Sequence, residues 1–383
     1  MFGGIRARVS SEAERAAALT DLARHVGPRQ LARDRLRRRR YDAVSQREGE
    51  RFVARMWEDA AGALGAELRR CSPTVLEFRL GDAHAYVTHA MTTSFADRVS
   101  GELVLDKPLT LGLLSDAGLP VPRHTALERS ERTLARDFLE RIGGFIVVKP
   151  AHGAGGGGVV GHVANAAQLD AALRSSGRYN RRVLLEEQLP GDAYRLTLLD
   201  GKLLDVVRRE HPTIIGDGCS TIAELIGSEY ERRISSGGDT WGFKPLELDL
   251  DCLFTLAAAG LEPASVPPAG AAVRIRTASN FSGPERSFTA GDQVTAELVE
   301  VARRAAEVVN MRLAGVDVVL ADASGPLEAS GALLEVNAPG LHHHYNVADR
   351  SGACAIAVPI LAALLGVDEP GGAREGARRT PRP

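Results

Sequence analysis

A short apolar run, Phe145-Ile-Val-Val-Lys149-Pro150, leads into His152-Gly-Ala-Gly-Gly-Gly-Gly158 and out again through Val159–Val163. Five glycines held between two β-type segments leave few folding options: strand, glycine loop, strand. The lysine adds chemistry. Only four of the 47 Lys and Arg residues are lysines, so an ammonium kept beside the glycines points to a compact point charge rather than to basicity in general. Glycines let backbone N–H groups close on an anion without interference from a Cβ. The segment therefore predicts a phosphate cradle and a bound nucleotide.

Other readings of the same glycines fail on context. A flexible linker would show Ser, Pro or charge enrichment at its flanks, and these flanks are apolar. Gly153, Gly155 and Gly158 also spell a dinucleotide fingerprint, but that motif opens a helix, and here the β-branched pair Val159-Val160 follows. A P-loop places Lys after its last glycine, whereas Lys149 comes before the first. A hairpin lid over a nucleotide is what remains.

The chain's 383 residues are enough for two or three subdomains with full cores, and a net charge of −2 gives no general argument for nucleic acid or an anionic membrane. The Arg35–Arg40 run is the one strongly basic patch. It lacks interleaved aromatics and reads as a solvated helix face. Nothing in Met1–Ser10 resembles a signal peptide, and the longest apolar stretch, Ala353–Leu365, is short and broken by Pro359. Cys71, Cys219, Cys252 and Cys354 are scattered, as expected of reduced thiols in a cytoplasmic protein.

Residues 10–70 are expected to be mostly helical, Val75–Leu80 and Ala83–Val87 to form a hairpin, and 370–383 to be a disordered tail. Thr221 and Glu224 spell a capping box, and Val294 to Val308 an amphipathic helix. Tyr194–Leu199 and Lys202–Arg209 form a hairpin across Asp200-Gly201. Regular pairing from that turn sets Arg195 opposite Val206 and puts Arg208 on Arg195's face, which outlines an anion site or, equally, two solvated arginines. In a second hairpin, pairing Leu320 with Ala332 sets Asp317 opposite Glu335, with Asn337 on the same face. Three oxygen ligands there suit Mg²⁺, with Mn²⁺ as a substitute. The surrounding strands are otherwise apolar, so unpaired carboxylates among them would be costly. His342, His343 and His344 are expected on a substrate loop or the surface, because neighbours in sequence converge poorly on one ion.

With these motifs placed, the chain resembles the ATP-grasp ligases. It is most similar to the ATP-grasp half of cyanophycin synthetase and more distantly to glutathione synthetases and ribosomal-protein glutamate ligases. The resemblance covers roughly residues 101–365 and runs in order through Leu105-Asp-Lys107, Val147-Val-Lys149-Pro150, Pro190-Gly-Asp192 with Tyr194-Arg195-Leu196, Arg208-Arg209-Glu210, Gly216-Asp-Gly218, Arg276-Thr-Ala-Ser-Asn280, Ala314-Gly-Val-Asp317 and Leu334-Glu-Val-Asn337. It implies an α/β ATP-grasp fold, two α+β subdomains clamping ATP. The expected domains are an N-terminal helical or α+β region over 1–100, an ATP-grasp domain over 101–365 with its glycine-flap lid at about 123–187, and a tail over 366–383.

The resemblance also implies roles. Lys107, Lys149 and the flap glycines Gly155, Gly156 and Gly157 would hold ATP phosphates, and Glu186, Glu187 and Leu189 the adenine. Asp317, Glu335 and Asn337 would hold Mg²⁺, while Arg195, Arg208 and Arg276 would face the transferred phosphate and a substrate carboxylate. Three departures stand out. Ala193 replaces the family's ribose-binding acid, which makes neighbouring Asp192 the candidate acceptor; the metal motif is one residue short before Pro339-Gly340; and the flap lacks the usual Asn-His pair. The 383 residues also contain no second, Mur-ligase-like ATP domain, so a small amide rather than a polymer is the expected product.

The expected reaction is ATP-dependent carboxylate–amine ligation through an acyl phosphate, on an amino acid or small natural-product acid, in a cytoplasmic homo-oligomer without membrane or nucleic-acid partners. A phosphotransferase that stops at a phosphorylated product, and a non-catalytic nucleotide-binding module, stay open beside it.

Overall fold

Hydrophobic alternation organises the first part of the structure, a computed structural model. It describes residues 36, 49–88, 93–95, 97–153, 155–235, 246–279, 286–325, 327, 331–338, 341–345, 347–349 and 356–368. The basic run at 35–40 (Leu36 apart), Asn280, Pro339 and Gly340, the side chains of His342 and His343, and positions from 369 on lie outside these residues. A helix over residues 49–64 is followed by three antiparallel strands, β1 (Glu67–Ser72), β2 (Val75–Leu80) and β3 (Ala83–Thr88). Of the stretch 10–70 expected to be mostly helical, 49–64 is helix and Glu67 onward is a strand paired with β2, while 10–48 apart from Leu36 lie outside the described residues. Leu76 and Phe78 share one face of β2 and are buried against Trp57 and Met56 of the helix, and the helix Ala357–Leu365 completes this core.

The glycine-flap hairpin belongs to a four-stranded antiparallel sheet of β4 (His124–Glu128), β5 (Ile146–Pro150), β6 (Val160–Val163) and β7 (Arg182–Glu187), in the order β4-β7-β5-β6. Ile146 and Val148 point toward the helices Arg132–Ile142 and Ala166–Ser176, and Val147 and Lys149 point the other way. This lid sheet hangs over a larger one. The strands β8 (Asp192–Leu199) and β9 (Lys202–Arg209) form its first hairpin. A small unit follows, with β10 (Thr213–Ile215) and β11 (Ala272–Arg274) paired and the helices Ile222–Ser235 and Leu250–Ala258 packed on them. Thr221 and Glu224 exchange the reciprocal bonds of a capping box at the first of these helices. The chain then returns through β12 (Ser287–Thr289), β13 (Leu313–Leu320) and β14 (Gly331–Asn337) to complete the large sheet, ordered β12-β9-β8-β13-β14.

One face of that sheet buries Tyr194, Leu196, Val206, Val316, Val318 and Val336 under the helix Ala296–Val308. Each such side chain contributes about 1.5–3 kcal/mol of transfer free energy, so this face is committed to packing. The opposite, front face divides in two. At the turn end Leu199 and Leu313 join the N-terminal core. At the other end the front face carries Arg195, Arg209 and Asp317 beneath the lid.

Register decides which charged residues reach that front face. In β13 and β14, Asp317 pairs with Glu335 as expected, although a bulge at Leu334 makes Leu320 face Gly331 rather than Ala332. In β8 and β9 the outcome differs from expectation. Leu199 pairs with Lys202 and Leu198 with Leu203, but Thr197 then pairs with Asp205, leaving Leu204 as an extra residue. From there Arg195 faces Val207 instead of Val206, and Tyr194 faces Arg208. A one-residue slip exchanges the faces. Arg209, not Arg208, therefore shares the front face with Arg195.

Candidate functional site

The lid sheet and the front face of the large sheet enclose a cleft with a charged end. Lys149 lies on the cleft side of β5, its Nζ 2.7 Å from Oε2 of Glu186 on β7, and both side chains are at least nine-tenths buried. The other carboxylate oxygen of Glu186, Oε1, is buried without a hydrogen-bond partner and so remains an unused acceptor in the cleft wall. Lys107 opens the helix Lys107–Asp116, whose N-cap Asp106 fixes its direction. The Lys107 ammonium donates to the carbonyl of Gly153 at 2.9 Å and pairs with Oε2 of Glu335 at 2.8 Å. Burial pulls the Lys107 pKa down, but the Glu335, Glu186 and Asp317 charges outweigh it and raise it. Burial likewise pushes Glu335 up, and Lys107, Lys149 and the bond from Asn337 together hold it below the usual carboxylate range. Both groups are therefore charged at neutral pH.

Glycines supply the roof. Gly155, Gly156 and Gly157 line the cleft between β5 and β6. At Gly158, φ is +76° and an added Cβ would lie 2.6 Å from the Tyr179 ring, so no other residue fits there without a shift. Glu187 and Leu189 line the end of the cleft near the β7 terminus, and Arg123 holds Glu187 through its backbone N–H and its guanidinium.

The candidate metal residues sit at the floor. Asp317 accepts a bidentate pair from Arg195 at 2.7 and 2.6 Å, a third bond from Arg209 at 3.2 Å, and one from Asn337 at 2.8 Å. Among the described residues no three His, Cys, Asp or Glu side chains form a metal cage. The available set is two carboxylates and the Asn337 amide oxygen on one sheet face. This all-oxygen set fits a hard divalent cation. Arg195, Arg209 and Lys107 already compensate the two acids, so an ion here needs additional negative ligands, and nucleotide phosphates would supply them.

Four residues depart from their expected places. Arg276 does not reach the cleft. It is 1% exposed, and its guanidinium lies 2.8 Å from Asp249 and 3.6 Å from Asp251, whose carboxylate also accepts backbone N–H groups from Gly161 and Thr277. Asp251 ties the small unit to the lid through its bond from Gly161 on β6. Arg208 turns to the helix-packed face and lies 3.5 Å from Asp192 and 3.4 Å from Glu210, with Phe288 beneath it. Asp192 is the first residue of β8 rather than part of a turn, so it points away from the cleft while Ala193 lines it. His344, expected on the surface or a substrate loop, is fully buried.

Pattern reading also missed cleft residues. Arg209 was hidden by the bulge. Arg274, His211, Thr277 and Ser279 reach the cleft wall only because the small unit folds back onto the lid. His211 bridges the carbonyls of Gly191 and Thr277 at 2.9 Å each, and burial together with Arg274 holds its pKa below the ordinary value.

Residues 113–213 match the family model described as the D-Ala–D-Ala ligase C-terminus, a stretch that includes the lid sheet and the β8–β9 hairpin. A bifunctional glutathione synthetase from Pasteurella multocida superimposes with a TM-score of 0.50 at 22% identity, over 79% of this chain and 42% of that one. The chain has the ATP-grasp fold. Within that fold the lid sheet and the large sheet are the two halves of the clamp, and the paired lysines lie between them. The chain is 32% identical to a cyanophycin synthetase from Trichormus variabilis over 246 residues, 63% of this chain and 27% of the relative. It is 26% identical to the glutathione biosynthesis bifunctional protein GshAB from Mannheimia succiniciproducens over 290 residues, 74% of this chain and 38% of the relative. The ATP-grasp chain thus spans well under half the length of these curated relatives.

Proposed function

We propose that the chain is an ATP- and Mg²⁺-dependent carboxylate–amine ligase acting on an amino acid or another small acid. The observation that carries this reading is the convergence of Lys107, Lys149 and the glycine roof over the oxygen set of Asp317, Glu335 and Asn337. The similarity to a cyanophycin synthetase and to a glutathione biosynthesis protein supports a small amino-acid or peptide substrate.

The reaction follows from charge. A carboxylate oxygen of the acid attacks the γ-phosphorus and ADP leaves. The amine then attacks the acyl carbon, phosphate leaves with the bonding pair, and the amine's proton goes to solvent or phosphate. Lys107 and Lys149 would exchange their present acids for phosphate oxygens and neutralise charge as it moves in line. Asp317, Glu335 and Asn337 would hold Mg²⁺, which supplies electrostatic stabilisation of the transferring phosphoryl group. Arg209 would hold Asp317 in place, and the glycine roof would exclude the water that hydrolyses an acyl phosphate. No helix among the described residues is long and apolar enough to cross a membrane, which suits a cytoplasmic site of action.

The test is a screen of acids and amines for stimulated ADP release, with the product weighed by mass spectrometry. Amide formed one-for-one with ADP supports the ligase. A stable phosphorylated acid formed without amine would make the chain a phosphotransferase, and nucleotide binding without turnover under any pair would make it a binding module.

A further inference from the structure

Three elements meet at one buried imidazole. His344, on the short helix His342–Tyr345 after β14, has its Nε2 2.6 Å from Thr197 Oγ1 and its Nδ1 2.8 Å from Asp205 Oδ2. Thr197 and His344 are fully buried, and Asp205 is 18% exposed. A carboxylate can only accept, so Nδ1 carries a proton toward Asp205, and in the neutral ring Nε2 accepts from the Thr197 hydroxyl. Next along the helix, Tyr345 stacks edge-on against Phe52 of the N-terminal helix at 5.3 Å.

Thr197 and Asp205 are direct partners in the β8–β9 ladder, and the bulge lies immediately beside them, at Leu204. The two-residue turn would equally permit an unbulged hairpin. In that register Arg195 would face Val206, Arg208 would turn to Asp317, and Asp205 would pair with Leu196 on the helix-packed face. A carboxylate among Leu196, Val206 and Val316 is costly, whereas in the bulged register His344 satisfies it. Bulges next to functional sites re-aim side chains, and here the re-aimed side chain is Arg209.

We propose that His344 is a positioning residue: its bridge from Thr197 to Asp205 holds the β9 bulge in place and so keeps Arg209, rather than Arg208, beside Asp317. The bridge acts through register, and His344 need not touch any substrate. It also fastens the segment that follows the metal-site strand to the strand pair that orients Asp317.

The structural arm of the test stands apart from the proposed ligase reading, and only the kinetic arm rests on it. Crystal structures of His344→Leu and Asp205→Leu are expected to show Arg195 opposite Val206 and Arg208 near Asp317, most completely in Asp205→Leu, where the new side chain favours the apolar face. Asp205→Asn keeps an acceptor for Nδ1–H and should retain the bulged register. In the kinetic arm, kcat should fall roughly ten- to a hundredfold in the two leucine variants, the loss of a hydrogen bond to a charged group, and about threefold or less in Asp205→Asn. Deleting Leu204 in the His344→Leu background should restore both the Arg209–Asp317 pair and turnover, because regular pairing from the turn then sets Asp205 opposite Thr197 unaided. Leucine variants that keep Arg195 opposite Val207 would overturn the proposal, as would a Leu204 deletion that restores neither. If His344→Leu does not fold, the Asp205 pair decides alone. Wild-type chain without ATP turnover would sink the ligase reading and leave the crystallographic outcome to decide this one.

Discussion

The two hairpins that bring charge to the cleft floor each carry one extra residue, at different distances from the groups they present. In β13–β14 pairing starts at the turn with Leu320 on Gly331, one residue off the expected Ala332, and the bulge at Leu334 cancels that offset, so Asp317 and Glu335 stay opposite one another. In β8–β9 the bulge at Leu204 falls between the turn and the arginines, and every residue beyond it changes face. A bulge leaves the expected partners opposite only where an offset nearer the turn cancels it, and is decisive where nothing does. The first hairpin therefore presents its carboxylates through two one-residue shifts that cancel. The second presents an arginine set by a tertiary contact.

The largest effect should come from the first hairpin. Glu335→Gln removes one of the proposed Mg²⁺ ligands and the partner of Lys107, and kcat is expected to fall about a thousandfold, some 4 kcal/mol of transition-state stabilisation. Circular dichroism should show the fold retained. Activity within tenfold of wild type would mean that Glu335 holds no ion.

The second hairpin yields a pairwise comparison. Arg209→Ala should cost roughly ten- to a hundredfold in kcat, the loss of a hydrogen bond to a charged acceptor, while Arg208→Ala should stay within about threefold because its pairs are partly exposed. The reverse order of severity would restore the unbulged pairing and break the contrast between the hairpins. Asp192→Ala sharpens the same point. Its carboxylate lies on Arg208's side, so the KM for ATP should change by about threefold at most, and equally for 2′-deoxy-ATP. A larger loss confined to ATP would place Asp192 at the ribose after all.

The smallest effect concerns the lid. His162 on β6 is half-buried among Thr255, Thr277 and Gln188, and this partial burial with the Arg274 charge lowers its pKa from 6.5 to about 4. The unfolded chain therefore binds more protons than the folded one between those values, and stability should fall as pH drops from 6.5 toward 4. Melting curves of wild type and His162→Asn over that window should converge at low pH. Parallel curves would show that His162 does not titrate on unfolding.

Much of the site was legible because its signals are local. The lysine beside five glycines and the capping box at Thr221 depend on residues close in sequence, while the Asp317–Glu335 pairing matched because the Leu334 bulge cancels the offset of Leu320 onto Gly331. Arg276 misled for the opposite reason. A lone Arg in a matching motif says nothing about the two aspartates, Asp249 and Asp251, that fold back to neutralise it.

The chain's own sequence determined the strand–glycine–strand lid, the ATP-grasp order of elements and the acids of the floor, because periodicity and glycine content act within a few residues. Tertiary structure alone decided which arginines reach Asp317, where Asp192 and Arg276 point, and that His344 is buried. Those outcomes turn on a bulge and on buried ion pairs between distant segments. A single extra residue in a ladder inverts faces at little local cost, so only the distant groups that satisfy or strand each polar side chain can choose between the registers.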